Sequence, residues 1–349
     1  MEPREGRSVY GDWRTAAMGE GGLQRSEFEW LTRPMTPYEM IDDGVALYRE
    51  HFPLLAKLSF LIYLIPTLVT VLFLVPIAVA EWRSPASSPV AAFLECGSLC
   101  LLFPYLVIAP PFQAMATSWA AYRFLQGEPV NSLREVWDAV RPRLGQLIAN
   151  QLLAFMVLGL IYVVIGVMAG IGAVAGAVAI GSLGLGGTAS LIMLMLFYLL
   201  GTIVLLLLTA LATVWVIILP QIILFEPETD ALTAFSRAFT LVGKNFRHAF
   251  VSCLLFWAFQ GVVYLSAYMF LGLVVLTVAG LLYAYGVDLQ ALYMRWANTF
   301  GNLVDVVSYV VFALVYPAMY LTSFFFYFDL RYRAEGLDIA QVLARSGKG

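Results

Sequence analysis

An all-α integral membrane protein, with six transmembrane helices as three hairpins, is the fold class this sequence predicts. Three observations carry that expectation. Charged residues make up only 12% of the 349-residue chain and hydrophobic ones 61%, with a mean hydropathy of +0.83. A soluble domain needs about 25% charge to present a surface to water. Apolar blocks long enough to cross a hydrocarbon core, roughly 20 residues as helix, recur along the chain. The basic residues, finally, fall almost wholly into alternate loops.

Residues 1–34 are rich in Gly, small and charged residues with no apolar stretch before a cleavage site. They read as a disordered cytoplasmic tail, and a secretory signal peptide is not expected. A membrane domain follows over 35–341, and 342–349 form a short C-terminal tail. The apolar blocks are 53–80, about 90–122, 147–180, 191–225, 249 to about 285, and 303–328. None alternates with a barrel's period of two, so each is expected to be a helix that satisfies its own backbone. All exceed the minimum span, which predicts tilts, kinks or interfacial ends.

Orientation comes from the loops. Lys and Arg number seven in 1–57, four in 123–147, three in 226–248 and four in 329–349, whereas Arg83 and Arg295 alone lie on the other side. The positive-inside rule then places both termini in the cytoplasm of a multi-pass inner (plasma) membrane protein.

Three cytoplasmic segments carry apolar stripes at helical spacing. The first has Ile41, Val45, Tyr48 and Phe52; the second has Leu133, Val136, Trp137, Val140 and Leu144; the third has Leu232, Phe235, Phe239, Val242 and Phe246. Ser132 and Glu135 make a capping-box pattern ahead of the second. Each stripe predicts an amphipathic surface helix that feeds into a span. Spans two, four and six end at Arg123, Glu226 and Asp329, 103 residues apart each time. Three pseudo-repeats, about 35–126, 127–228 and 229–335, are therefore expected.

Two stretches resemble a known family. "ALTAFSRAFTLVGKNFRHAF" (231–250) joins a surface helix to a basic span entry, and "FFYFDLRYRAEGLDIAQ" runs an aromatic span end into alternating charges. Both are similar to the six-span membrane domain of some bacterial glycerophosphoryl diester phosphodiesterases, which also occurs alone. The resemblance implies a membrane module, not phosphodiesterase activity. The catalytic unit of those enzymes is a barrel of about 250 residues, and only about twenty residues are expected after the last span here.

Candidate chemistry is sparse. His51 and His248 stand at span entries and read as interfacial residues. Cys96, Cys100 and Cys253 read as packing residues. No H-E-x-x-H, C-x-x-C or G-x-S-x-G pattern occurs. Gly166 and Gly170, with the small residues that follow, give the third span a close-packing face. After the aromatic end 324–328, expected to face lipid, Arg331 and Arg333 are placed to meet lipid phosphates. Asp329 and Glu335 are placed to pair with arginines or to cap a short helix near Gly336–Asp338. With Lys244 and Arg247 these are the candidate lipid or interface contacts. Gln113, Pro110, Pro111 and Pro317 are candidates to line a cavity, because proline frees carbonyls within a span. No catalytic residue, metal ligand or cofactor is expected, and nucleic acid is not an expected partner. The expected role is non-catalytic organisation of membrane lipids or other membrane proteins, with a transporter or lipid-handling carrier as the alternative.

Overall fold

The computed structural model describes residues 33–83, 89–182, 213–226 and 229–335, with scattered residues between 192 and 209. The described residues are helical apart from short turns. Nine helices are named here: α1 (Pro37–Glu50), α2 (Phe52–Arg83), α3 (Pro89–Leu125), α4 (Leu133–Val140), α5 (Leu144–Ser182), α6 (Leu219–Phe225), α7 (Ala231–Lys244), α8 (Phe246–Ala284) and α9 (Leu289–Glu335). A single 3₁₀ turn, Arg141–Arg143, links α4 to α5. Among the described residues, four helices are long and apolar enough to cross a membrane: Phe52–Val79, Leu133–Val164, Phe246–Ala284 and Leu303–Glu335. A shorter apolar helix covers Thr213–Phe225. Of the fourth expected block, only scattered residues are described between 192 and 209, with a continuous stretch from 213, and the expected short helix near Gly336 lies outside the described residues.

Three short helices, α1, α4 and α7, start where side chains can accept the first free amides. Thr36 caps α1 and closes a capping box with Glu39; Ser132 accepts from the Glu135 amide, and Asp230 from the Thr233 amide at 2.7 Å. In packing, α1 lies on α9, α4 on α3, and α7 on α5 and α6.

The contact rows differ from the expected stripes. In α1 the buried row is Met40, Gly44 and Leu47, one residue before the predicted row, whose members are half-buried or exposed. In α7 the buried row is Ala234, Ala238, Leu241 and Val242, while Leu232 and Phe239 of the predicted stripe are exposed. Val242 is the one member of the α7 stripe that is buried, and α4 keeps more of its stripe inside, with Val136 and Val140 buried and Trp137 exposed. The reason is that lipid is as apolar as a large side chain. Small residues let backbones approach, and bulky ones need not turn inward. Gly44 is the clearest case, since a Cβ there would come within 2.8 Å of Thr322 Oγ1 and 3.0 Å of the Thr322 amide nitrogen.

Burial concentrates at the charged ends of the helices. The core there joins α1, the starts of α2, α5 and α8, the ends of α3 and α6, α7, and the last turns of α9. Farther along, α8 has no buried residue after Phe256. On α5, Gly166 and Gly170 are exposed, and a Cβ on either would meet no described residue within 4 Å. The rest of that small-residue face lies outside the side chains described. Along the apolar length α9 stays in contact with α2, through Tyr63 stacked on Tyr316 at 5.8 Å, and with α8, through Tyr264 against Phe312 at 5.4 Å and Tyr268 Oη 3.0 Å from Ser308 Oγ.

Gly44→Val should lower the thermal stability of the detergent-solubilised protein by about 1–3 kcal/mol through overpacking. Gly243→Ala, on an open face of α7, should leave stability unchanged or raise it by up to about 1 kcal/mol. Equal melting temperatures for Gly44→Val and wild type would refute the close approach of α1 to α9.

Candidate functional site at the charged end of the bundle

The aromatic end of α9 does not face lipid. Phe324, Phe325, Phe326, Tyr327 and Phe328 are at most 3% exposed, and every residue from 321 to 330 is buried. Helices surround this segment on all sides, so its apolar perimeter is satisfied by protein. Phe225 of α6 meets Phe328 at 5.1 Å and Tyr122 of α3 at 5.3 Å, and Phe256 of α8 meets Phe326 edge-on at 5.4 Å. Tyr122, Phe225 and Phe328 are themselves 103 residues apart.

Asp329, one residue further, is wholly buried. Its Oδ1 accepts the Met35 backbone amide at 2.7 Å. Its Oδ2 lies 2.8 Å from Arg333 Nε and 2.8 Å from His248 Nε2. A carboxylate can only accept, which makes Nε2 the nitrogen that carries the proton. Arg333, one turn on, also donates to the Met35 carbonyl at 2.9 Å. One i, i+4 pair on α9 therefore satisfies both backbone groups of the residue that leads into α1.

A second network lies beside it. Arg237 of α7 pairs with Glu226 at 3.1 Å and with Glu335, while Arg331 pairs with Glu335 at 3.1 Å. Tyr327 donates to Glu226 at 3.0 Å, and Lys244 Nζ reaches the Ala334 carbonyl at 3.4 Å. Arg123, 103 residues before Glu226, pairs with Glu128 and lies over the Trp119 ring.

Of the candidate contacts, Asp329, Arg331, Arg333, Glu335 and Lys244 are thus bonded within the protein, whereas Arg247 is exposed on the first turn of α8. His248, expected at the interface, is instead a partner of the buried carboxylate. His51 stacks on Phe124 with ring centroids 3.6 Å apart. The two stretches that carry the family resemblance meet here, through His248 with Asp329, Arg237 with Glu335 and Lys244 with Ala334. Sequence reasoning missed Met35, Glu226 and Arg237 as members of this site. The 103-residue spacing that ends at Asp329 was the available signal for Glu226.

The cavity candidates are packed. Gln113 is fully buried and donates to Ser59 Oγ at 2.5 Å; Pro111 and Pro317 are buried and Pro110 half-buried. Gln113 Oε1 and Thr117 Oγ1, one turn apart on α3, have no described partner. The Gln221 side-chain oxygen accepts from Ser323 Oγ at 2.9 Å and its amide nitrogen donates to the Ile217 carbonyl at 3.0 Å, tying α6 to α9. Cys253 is buried 3.8 Å from Thr213, while Cys96 and Cys100 are exposed free thiols. Among the described residues, no three His, Cys, Asp or Glu side chains gather as a metal site requires.

Arg333→Ala removes the cationic partner of a buried carboxylate and should cost about 3–5 kcal/mol in thermal unfolding. Asp329→Ala with Arg333→Ala should cost less than the two single losses combined, because neither charge is then stranded. Strict additivity would sink the coupling. On α1, burial and then the neighbouring Glu39 and Asp42 charges push the Asp43 carboxyl up to about 6 from 3.8, against the opposing pull of Arg33. The native state thus binds this proton more tightly than the unfolded chain. Its contribution is fully present below about pH 4 and is lost as pH rises through about 6. Asp43→Asn should stabilise by about 1 kcal/mol at pH 7.5, after allowance for solvent screening, and by nothing at pH 4. An equal gain at both pH values would show that charge is not the cause.

Comparisons with protein-family models, with curated proteins and with solved structures returned no match to this chain.

Proposed function

We propose that this chain is a six-span protein of a bacterial inner membrane, with both termini cytoplasmic, that organises lipid or protein partners without catalysing a reaction. The distribution of basic residues, eighteen against two across the expected faces, supports the orientation. Three side-chain-capped short helices, and contacts among Tyr122, Phe225 and Phe328 at a constant spacing, support three related units. The two motif stretches similar to the phosphodiesterase membrane domain support a membrane module of that type.

One observation carries the non-catalytic reading. The acidic and basic groups at the charged end bond to one another and to backbone across α1, α6, α7, α8 and α9. Reactive groups in an enzyme converge on a space where substrate can sit; these converge on each other and hold helices in register. A base for assembly needs that rigidity.

Extraction of the tagged protein in native lipid particles, followed by mass spectrometry, tests the reading. A stoichiometric protein or an enriched lipid is the expected outcome. Repeated recovery with neither would overturn it. The carrier alternative draws on Gln113 Oε1 and Thr117 Oγ1, because buried polar atoms within apolar helices are the usual marks of a solute path. Vesicles reconstituted with the protein should then move a solute or lipid at a rate that Gln113→Leu reduces. No movement across a broad panel would remove that alternative.

A further inference from the structure

We infer that the groove along α2 is a seat for one anionic phospholipid, with its phosphate at Lys57 and an acyl chain running toward Tyr309. The inference rests on the reading above, which places α2 across a bilayer with its start on the cytoplasmic side, and it names one ligand of that module.

The groove has a volume of about 550 Å³ and is lined by Lys57, Leu61, Leu64 and Thr67 of α2, Leu133 at the start of α4, and Tyr309 of α9, among others. That volume falls within the range of small-molecule sites, roughly 300–1,000 Å³. From Lys57 to Thr67 the groove follows α2 for about 15 Å at 1.5 Å per residue. Its walls make no polar demand on a hydrocarbon chain. Thr67 Oγ1 already donates to the Tyr63 carbonyl at 2.7 Å, and Leu61 and Leu64 are half exposed.

An apolar groove alone cannot select a lipid, since bulk acyl chains are equally apolar. Selection has to come from the headgroup end. Lys57 is exposed there and forms no ion pair with any described residue. Arg134, adjacent to Leu133, has a side chain 89% exposed and lies 3.8 Å from Asp138. At this end Arg237, Arg331 and Arg333 are already bonded to carboxylates, and Arg247, exposed on the first turn of α8, does not line the groove. Lys57 is therefore a cation with room for a phosphate, one turn below the start of an apolar slot. A partner helix in the same slot would leave that charge without a counterpart.

The test places the full chain in nanodiscs of phosphatidylcholine mixed with phosphatidylglycerol and counts the lipids retained by native mass spectrometry. Wild type and Lys57→Arg should keep one phosphatidylglycerol. Lys57→Ala should reduce that retention about fivefold, the worth of one basic side chain at an anionic headgroup layer. Leu61→Trp, which fills the slot and leaves the charge, should abolish it, with melting temperatures confirming that every variant is folded. Unchanged retention in either Lys57→Ala or Leu61→Trp overturns the inference, as does equal retention of phosphatidylcholine by wild type. Loss of the lipid result while a stoichiometric protein partner persists in native particles would remove this seat alone. Loss of both would remove the organising role with it.

Discussion

A single buried carboxylate organises the charged end of this molecule. Asp329 has no contact with solvent, yet it gathers a backbone amide from before α1, an imidazole from α8 and a guanidinium from its own helix. A carboxylate moved from water into a dry interior is costly by several kcal/mol unless both its oxygens find donors. Three donors from three parts of the chain meet that demand. The same demand fixes where α1 and α8 must stand relative to α9, because a displacement of either leaves an unmet charge.

Around this node the packing follows the logic of lipid more than that of water. With no hydrophobic force to drive bulky side chains inward, small residues decide where helices touch. Gly44 against Thr322, and Ala234 with Ala238 on α7, are the points of approach. Phe239 and Leu232 remain outside. The exception is the end of α9, where ten consecutive residues are buried whatever their direction on the helix. That perimeter is covered only because α1, α7, the ends of α3 and α6 and the start of α8 all converge on it.

Much of this was legible in the residues. Composition and block length announced apolar helices, Ser132 with Glu135 announced a helix start, and the 103-residue recurrence at Arg123, Glu226 and Asp329 fell one residue after three aromatic positions that touch. The registers of α1 and α7 were not legible, because a stripe of large apolar residues signals burial only where water is the alternative. The aromatic run at 324–328 was misread for the same reason, since an aromatic belt and an aromatic core have one composition. His248 and Met35 were hidden for a different cause. Their roles depend on a partner 81 and 294 residues away, and for Met35 on backbone atoms that every residue but proline possesses.

The link between Met35 and Asp329 also has a temporal side. Among the described helices α1 is the first to leave the ribosome, whereas α9, its main packing partner, is the last. At about 5–20 residues per second, a separation of 294 residues leaves α1 waiting some tens of seconds for the carboxylate that receives it. Throughout that interval its buried row, Met40, Gly44 and Leu47, has no α9 to lie on and depends on the membrane surface or a chaperone for cover. Among the described helices, the first to be synthesised is thus among the last to settle, and the charged end closes only once α9 has been made.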